Sequence, residues 1–140
     1  MVAFFAFATG YIIAVACLRI LPPVAWNLFG AGGAFHAAGP WTPVPAGAAL
    51  LLVFLGAGVG GGASRFIAPA ASPRFFVGLA GLVLGLQLLR LFAFSRYAPA
   101  LGISGSLVPR IGGLEVALPL AAALGVLAGA MVLRRHRRAA

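Results

Sequence analysis

The sequence predicts an all-α integral membrane protein of four transmembrane helices with both termini inside (N-in/C-in). Three observations lead there. Four apolar stretches, residues 2–21, 45–63, 75–94 and 113–133, fill most of the chain, and a helix needs about 20 predominantly apolar residues to cross a bilayer. Hydrophobic residues make up 63% of the 140 positions and charged residues 8%, whereas a soluble domain carries about 25% charged residues. A chain this apolar has too few polar groups to cover a water-facing surface. Small residues also recur four apart in every stretch, which lets helices approach closely in lipid. Short connections leave room for one domain over residues 1–140.

The first stretch lacks a basic leader, and its apolar run is longer than a signal-peptide core, so it reads as a retained helix. Ala6, Gly10 and Ala14 form its small-residue face. Cys17, the one cysteine, cannot form an internal disulfide and reads as a small apolar filler. Pro22 and Pro23 are expected to end this helix or kink it sharply. The loop over residues 22–44 carries no formal charge. Trp26 and Trp41 bracket it as rings at headgroup depth, and Phe29 and Phe35 suit it to lie on the bilayer or against a partner.

Thr42 followed by Pro43 is a helix start, a capping hydroxyl and then proline in the first turn. The second stretch places Gly56 and Gly60 on one face. Its glycine-rich run over residues 56–62 has two readings. It breaks the helix, and the freed backbone lines a small-molecule site, or it frays the helix end and lets a neighbour approach. It is not a phosphate-cradling loop, because no strand precedes it and no Lys–Ser/Thr follows. The third stretch repeats the spacing at Gly81 and Gly85, and the fourth at Gly125 and Gly129. A basic tail, residues 134–140, closes the chain.

The tail sets the orientation. Arg134, Arg135, Arg137 and Arg138, with His136 among them, belong on the cytoplasmic side by the positive-inside rule. Arg65 and Arg74 then fall inside as well. Six arginines lie inside against Arg96 and Arg110 outside, with Arg19 near the outer end of the first span. The formal net charge of +9 opposes ten arginines to one acid, Glu115. Those arginines are spread over loops and helix ends, which fits anionic lipid and topology rather than nucleic acid. Arginine without lysine suggests a GC-rich bacterial coding sequence, and with it the bacterial inner membrane.

Polar side chains inside the stretches are few: Thr9, Arg19, Gln87, Arg90 and Glu115. Ionisable groups at such depth are costly, and they are usually paired or face a cavity. Gln87 and Arg90, three apart, share one helix face. Depth along alternating helices puts Arg19, Arg90 and Glu115 in one outer layer, with Arg96 and Arg110 just above. Glu115 stands near a helix N-terminus, where negative charge is favoured. Two roles follow: an Arg90–Glu115 ion pair that fixes the register of two helices, or a site for phosphate or carboxylate held by the surplus arginines. One carboxylate without a titratable partner argues against a proton relay. His36, in the aromatic loop, is the single candidate ligand for a haem or chlorophyll metal, although a lone loop histidine is more often only that.

Three short segments resemble known families. The segment GGGASRF, residues 60–66, is similar to the glycine–arginine segment of small fluoride exporters, but the polar residues of that family's later helices are absent. Ser104 matches the G-x-S-G string of rhomboid proteases, which also need six spans and a later catalytic histidine. Residues 74–127 resemble the first two helices of DoxX/MauE-type membrane proteins, through an arginine opening a glycine-spaced helix and Gly112, Gly113, Leu114 and Glu115 opening the next. Two further helices would follow in that family. None of the three covers enough of the chain to identify it.

No nucleophile–base pair or metal cluster is visible, so the chain is not expected to be an enzyme. No cofactor is specified. The expected role is an accessory or assembly subunit of a larger membrane complex, with other subunits or copies of itself as partners. The alternative is a small oligomeric carrier, channel or lipid-handling protein using the outer Arg/Glu layer. Thiol labelling in a Cys17→Ser background tests the topology. An impermeant reagent should reach Ala37→Cys only from outside and Ala139→Cys only from inside. Labelling of both positions from one side overturns the arrangement.

Overall fold

The computed structural model describes residues 1–29, 43–97 and 113–139. These residues form four helices joined, where described, by one tight turn: α1 Val2–Phe29, α2 Pro43–Ile67, α3 Pro73–Tyr97 and α4 Gly113–Ala139. Each contains a segment long and apolar enough to cross a membrane. A 25-residue helix such as α2 or α3 rises roughly 37 Å, more than the ~30 Å hydrocarbon core of a bilayer.

Two expectations are corrected. Of the two outcomes expected at Pro22 and Pro23, an end or a sharp kink, the end is overturned: the helix runs through both to Phe29. Proline has no N–H, so the carbonyls of Leu18 and Arg19 lose their i+4 donors. The helix continues because tertiary contact holds the far side: Pro22 and Ala25 are both buried. The glycine-rich run likewise neither breaks nor frays α2, which is continuous from Pro43 to Ile67 with the run well inside. Backbone away from water has no competing hydrogen-bond partner, so a glycine-rich segment stays helical. Two smaller differences are that α3 begins at Pro73 and that the basic tail extends α4 rather than following it.

Large and small residues occupy the reverse of their places in a water-soluble bundle. Among the described residues fifteen apolar side chains other than proline are buried, of which ten are alanine and three valine. Phe4, Val59 and Leu89 are 73%, 66% and 64% exposed, and many other large apolar side chains share the outer surface. A core of small residues allows backbones to approach closely.

The second helix is the centre of the packing. α1 lies against one side of it and α4 against another, α3 packs chiefly on α4, and α1 touches α3 and α4 only lightly. On the α1 side the contacts run antiparallel. Gly10 meets Gly60, Cys17 and Leu21 crowd Gly56, and the Ser64 hydroxyl donates to the Ala6 carbonyl at 2.5 Å. On the α4 side they run parallel, with Gly125 against Phe54, Gly129 against Gly58 and Leu133 against Gly62. The run therefore serves both neighbours, Gly56 and Gly60 facing α1 and Gly58, Gly61 and Gly62 facing α4.

Gly81 and Gly85 face no other helix of the chain. A side chain added at either would meet nothing within 4 Å, and the same holds for Gly78. α3 turns Phe76, Leu79, Ala80 and Val83 inward, which places these glycines on its outer side.

The two glycine classes differ in what an added methyl meets. At Gly129 it would collide with the Gly58 backbone, and at Gly125 with the Phe54 carbonyl, whereas at Gly81 it enters open space. Gly129→Ala should therefore destabilise the fold by about 1–3 kcal/mol, as overpacking does. Gly81→Ala should be neutral or stabilise it by up to about 1 kcal/mol through helix propensity. Thermal unfolding in detergent reads both, and equal effects would remove the distinction.

Candidate functional site

The two ends of the bundle are built differently. At the α2–α3 turn the elements are tied together. The Arg65 guanidinium donates to the Ala71 carbonyl at 2.7 Å and lies 5.2 Å from the centre of the Phe76 ring. Phe75 stacks edge-on to Phe7 of α1 at 5.5 Å and to Phe76 at 5.1 Å. These rings pin the start of α3 to α1 and α2. A polar hollow of about 330 Å³ lies at this end between Arg65, Ser72 and Arg134, and Arg65 is already committed to the turn.

At the opposite end α1, α3 and α4 enclose a cleft of about 290 Å³. Its walls are Leu18 and Arg19 from α1, Gln87, Arg90 and Leu91 from α3, and Glu115, Leu118 and Pro119 from α4. Four of the polar residues singled out by depth, Arg19, Gln87, Arg90 and Glu115, thus line one space although they come from three helices. Glu115 lies in the first turn of α4, where the helix dipole favours its charge. Gln87 is half-buried, and both arginines are exposed.

Proline marks the same place. Leu18 and Arg19, whose carbonyls lack i+4 donors because of Pro22 and Pro23, both line the cleft. So does Pro119, which interrupts the hydrogen-bond ladder of α4 one turn after Glu115. Two of the three helices at this end therefore carry an incomplete backbone ladder beside the polar side chains.

Other expected positions lie elsewhere. Arg96 is exposed in the last turn of α3. His36, Trp41, Thr42, Ser104 and Arg110 lie outside the described residues. Sequence reasoning missed Ser64, which is fully buried and bonded to α1. The signal was present, since Gly56, Gly60 and Ser64 continue one four-residue spacing.

A double-substitution cycle tests coupling across the cleft. Glu115→Gln and Arg90→Gln should each destabilise the protein, by on the order of 3 kcal/mol if one charge is left in a low-dielectric setting. The double variant should lose less than the sum, and strict additivity in thermal or denaturant unfolding would show that the two charges do not interact. Comparison of the chain with family models, with curated proteins and with solved structures finds no match, so what the cleft can do rests on its own residues.

Proposed function

We propose that the chain is a multi-pass protein of the bacterial inner membrane, with both termini cytoplasmic, acting as an accessory or assembly subunit of a larger membrane complex. The outer surface supports the membrane setting, because large apolar side chains cover it on all four helices and water would not tolerate so extended an apolar surface. The subunit role is carried by one observation: the glycines of α3 face outward. In lipid, hydrophobicity does not draw helices together, so close approach through small residues supplies much of the association. Gly10 of α1, Gly56, Gly60 and Gly61 of α2, and Gly125 and Gly129 of α4 meet neighbours within the chain, whereas Gly78, Gly81 and Gly85 of α3, like Gly47 and Gly113 near the starts of α2 and α4, meet none. Leu82, Leu89 and Phe92 stand beside them, exposed, so the face is a shallow notch with bulky edges, a shape that accepts a partner helix.

A second reading, a small oligomeric carrier, channel or lipid-handling protein, is favoured by the cleft that gathers Arg19, Gln87, Arg90 and Glu115. Purification in mild detergent separates the two. Larger subunits should co-purify at fixed stoichiometry, and Gly85→Leu should abolish their recovery while leaving the chain's own thermal midpoint unchanged. Wild-type recovery with Gly85→Leu removes the docking face. A homo-oligomer that moves solute in liposomes transfers the role to the second reading.

A further inference from the structure

We infer that the cleft between α1, α3 and α4 binds the headgroup of a monoanionic, hydroxyl-bearing phospholipid of the phosphatidylglycerol type. The inference rests on the membrane setting proposed above but not on the docking face of α3. Charge comes first. Two guanidinium groups, Arg19 and Arg90, against one carboxylate, Glu115, leave the lining at 2 − 1 = +1, which matches a phosphodiester carrying one negative charge. Arginine presents several N–H donors in a planar fork suited to phosphate oxygens, and the Gln87 amide adds further donors from the same helix as Arg90.

The hydroxyl requirement comes from the backbone. Leu18 and Arg19 line the cleft, and their carbonyls have no i+4 N–H donor because residues 22 and 23 are proline. Buried or lipid-facing carbonyls take a hydrogen bond wherever a donor can reach them. A glycerol headgroup has hydroxyl donors next to its phosphate, whereas a choline headgroup has none. The remaining walls, Leu18, Leu91, Leu118 and Pro119, are apolar, so they suit the glycerol backbone and the start of the acyl chains while the phosphate stays at the arginines. A volume of about 290 Å³ accommodates a headgroup and excludes a whole lipid.

Thermal unfolding of the purified full-length chain in a neutral detergent, titrated with short-chain phosphatidylglycerol, tests the assignment, with short-chain phosphatidylcholine and inorganic phosphate as separate arms. Phosphatidylglycerol should raise the midpoint saturably, and the other two should not at the same concentration. Arg19→Gln, at an exposed position, and Gln87→Ala should each weaken the response about tenfold, as expected for loss of a charge-assisted or neutral hydrogen bond to the headgroup, and Arg19→Lys should retain part of it. Native mass spectrometry should show phosphatidylglycerol retained by the wild type and lost from Arg19→Gln, so the result does not depend on stability alone. Equal stabilisation by phosphatidylcholine, a full response to inorganic phosphate, or an undiminished response in Arg19→Gln would each overturn the inference. Gly85→Leu should leave lipid binding unchanged, and Arg19→Gln should leave complex recovery unchanged, so failure here is distinct from failure of the subunit role.

Discussion

Close backbone approach along α2 is the constraint on which the rest of this structure depends. Five glycines occupy seven positions between Gly56 and Gly62. In water each costs roughly 1 kcal/mol of helix propensity relative to alanine, so the run would be a weak helix on its own. Its contacts offset that cost. Gly60 admits the Gly10 backbone of α1, Gly61 admits the Val126 backbone of α4, and Gly129 of α4 admits the Gly58 backbone. At Gly61 no larger residue fits, because the atoms encountered are Val126 backbone atoms that cannot rotate aside. One helix thereby packs two partners, and the order of packing, α1–α2–α4–α3, is not the order of the chain.

That order explains why the two ends of the bundle differ. With α1 and α4 taken by α2, α3 is held mainly by α4, and it meets α1 through Phe75 on Phe7 and Leu79 on Gly10. Farther along, α3 and α1 separate, and the gap between them, closed on the third side by α4, is the cleft. Proline contributes at the same level, since Pro22, Pro23 and Pro119 all stand where the helices border it or leave it. Polar side chains, interrupted ladders and open space thus coincide at one end of the described bundle.

The outer surface and the cleft call for different partners. The α3 notch is apolar and shaped by glycine, so it suits another helix. The cleft is charged on one side and apolar on the other, so it suits an amphiphile. The two features use opposite faces of α3, with Gly81 and Gly85 outside and Gln87 and Arg90 toward the cleft. A helix partner and a lipid could therefore be engaged together without competing for the same atoms.

Much of this was legible in the residues themselves. The number of helices follows from apolar length, and the common depth of Arg19, Arg90 and Glu115 follows from rise per residue along alternating helices. The four-residue spacing of glycines is visible without coordinates. What it does not say is which small face turns inward. In a soluble helix the polar side marks the outside, but α3 is apolar all round, so Gly81–Gly85 and Leu79–Val83 are equivalent candidates until neighbours are placed. Tertiary contact chose Leu79 and Val83 for the core and left the glycines outside. It also carried α1 through Pro22 and Pro23 and buried Ser64 against Ala6, since local preference is weak beside packing on a neighbouring helix. The sequence by itself determined the number of helices and the approximate place of each along the chain, because these depend only on composition and spacing along one chain. The tertiary structure alone decided which faces meet and which polar side chains share the cleft, because these depend on atoms from helices far apart in sequence.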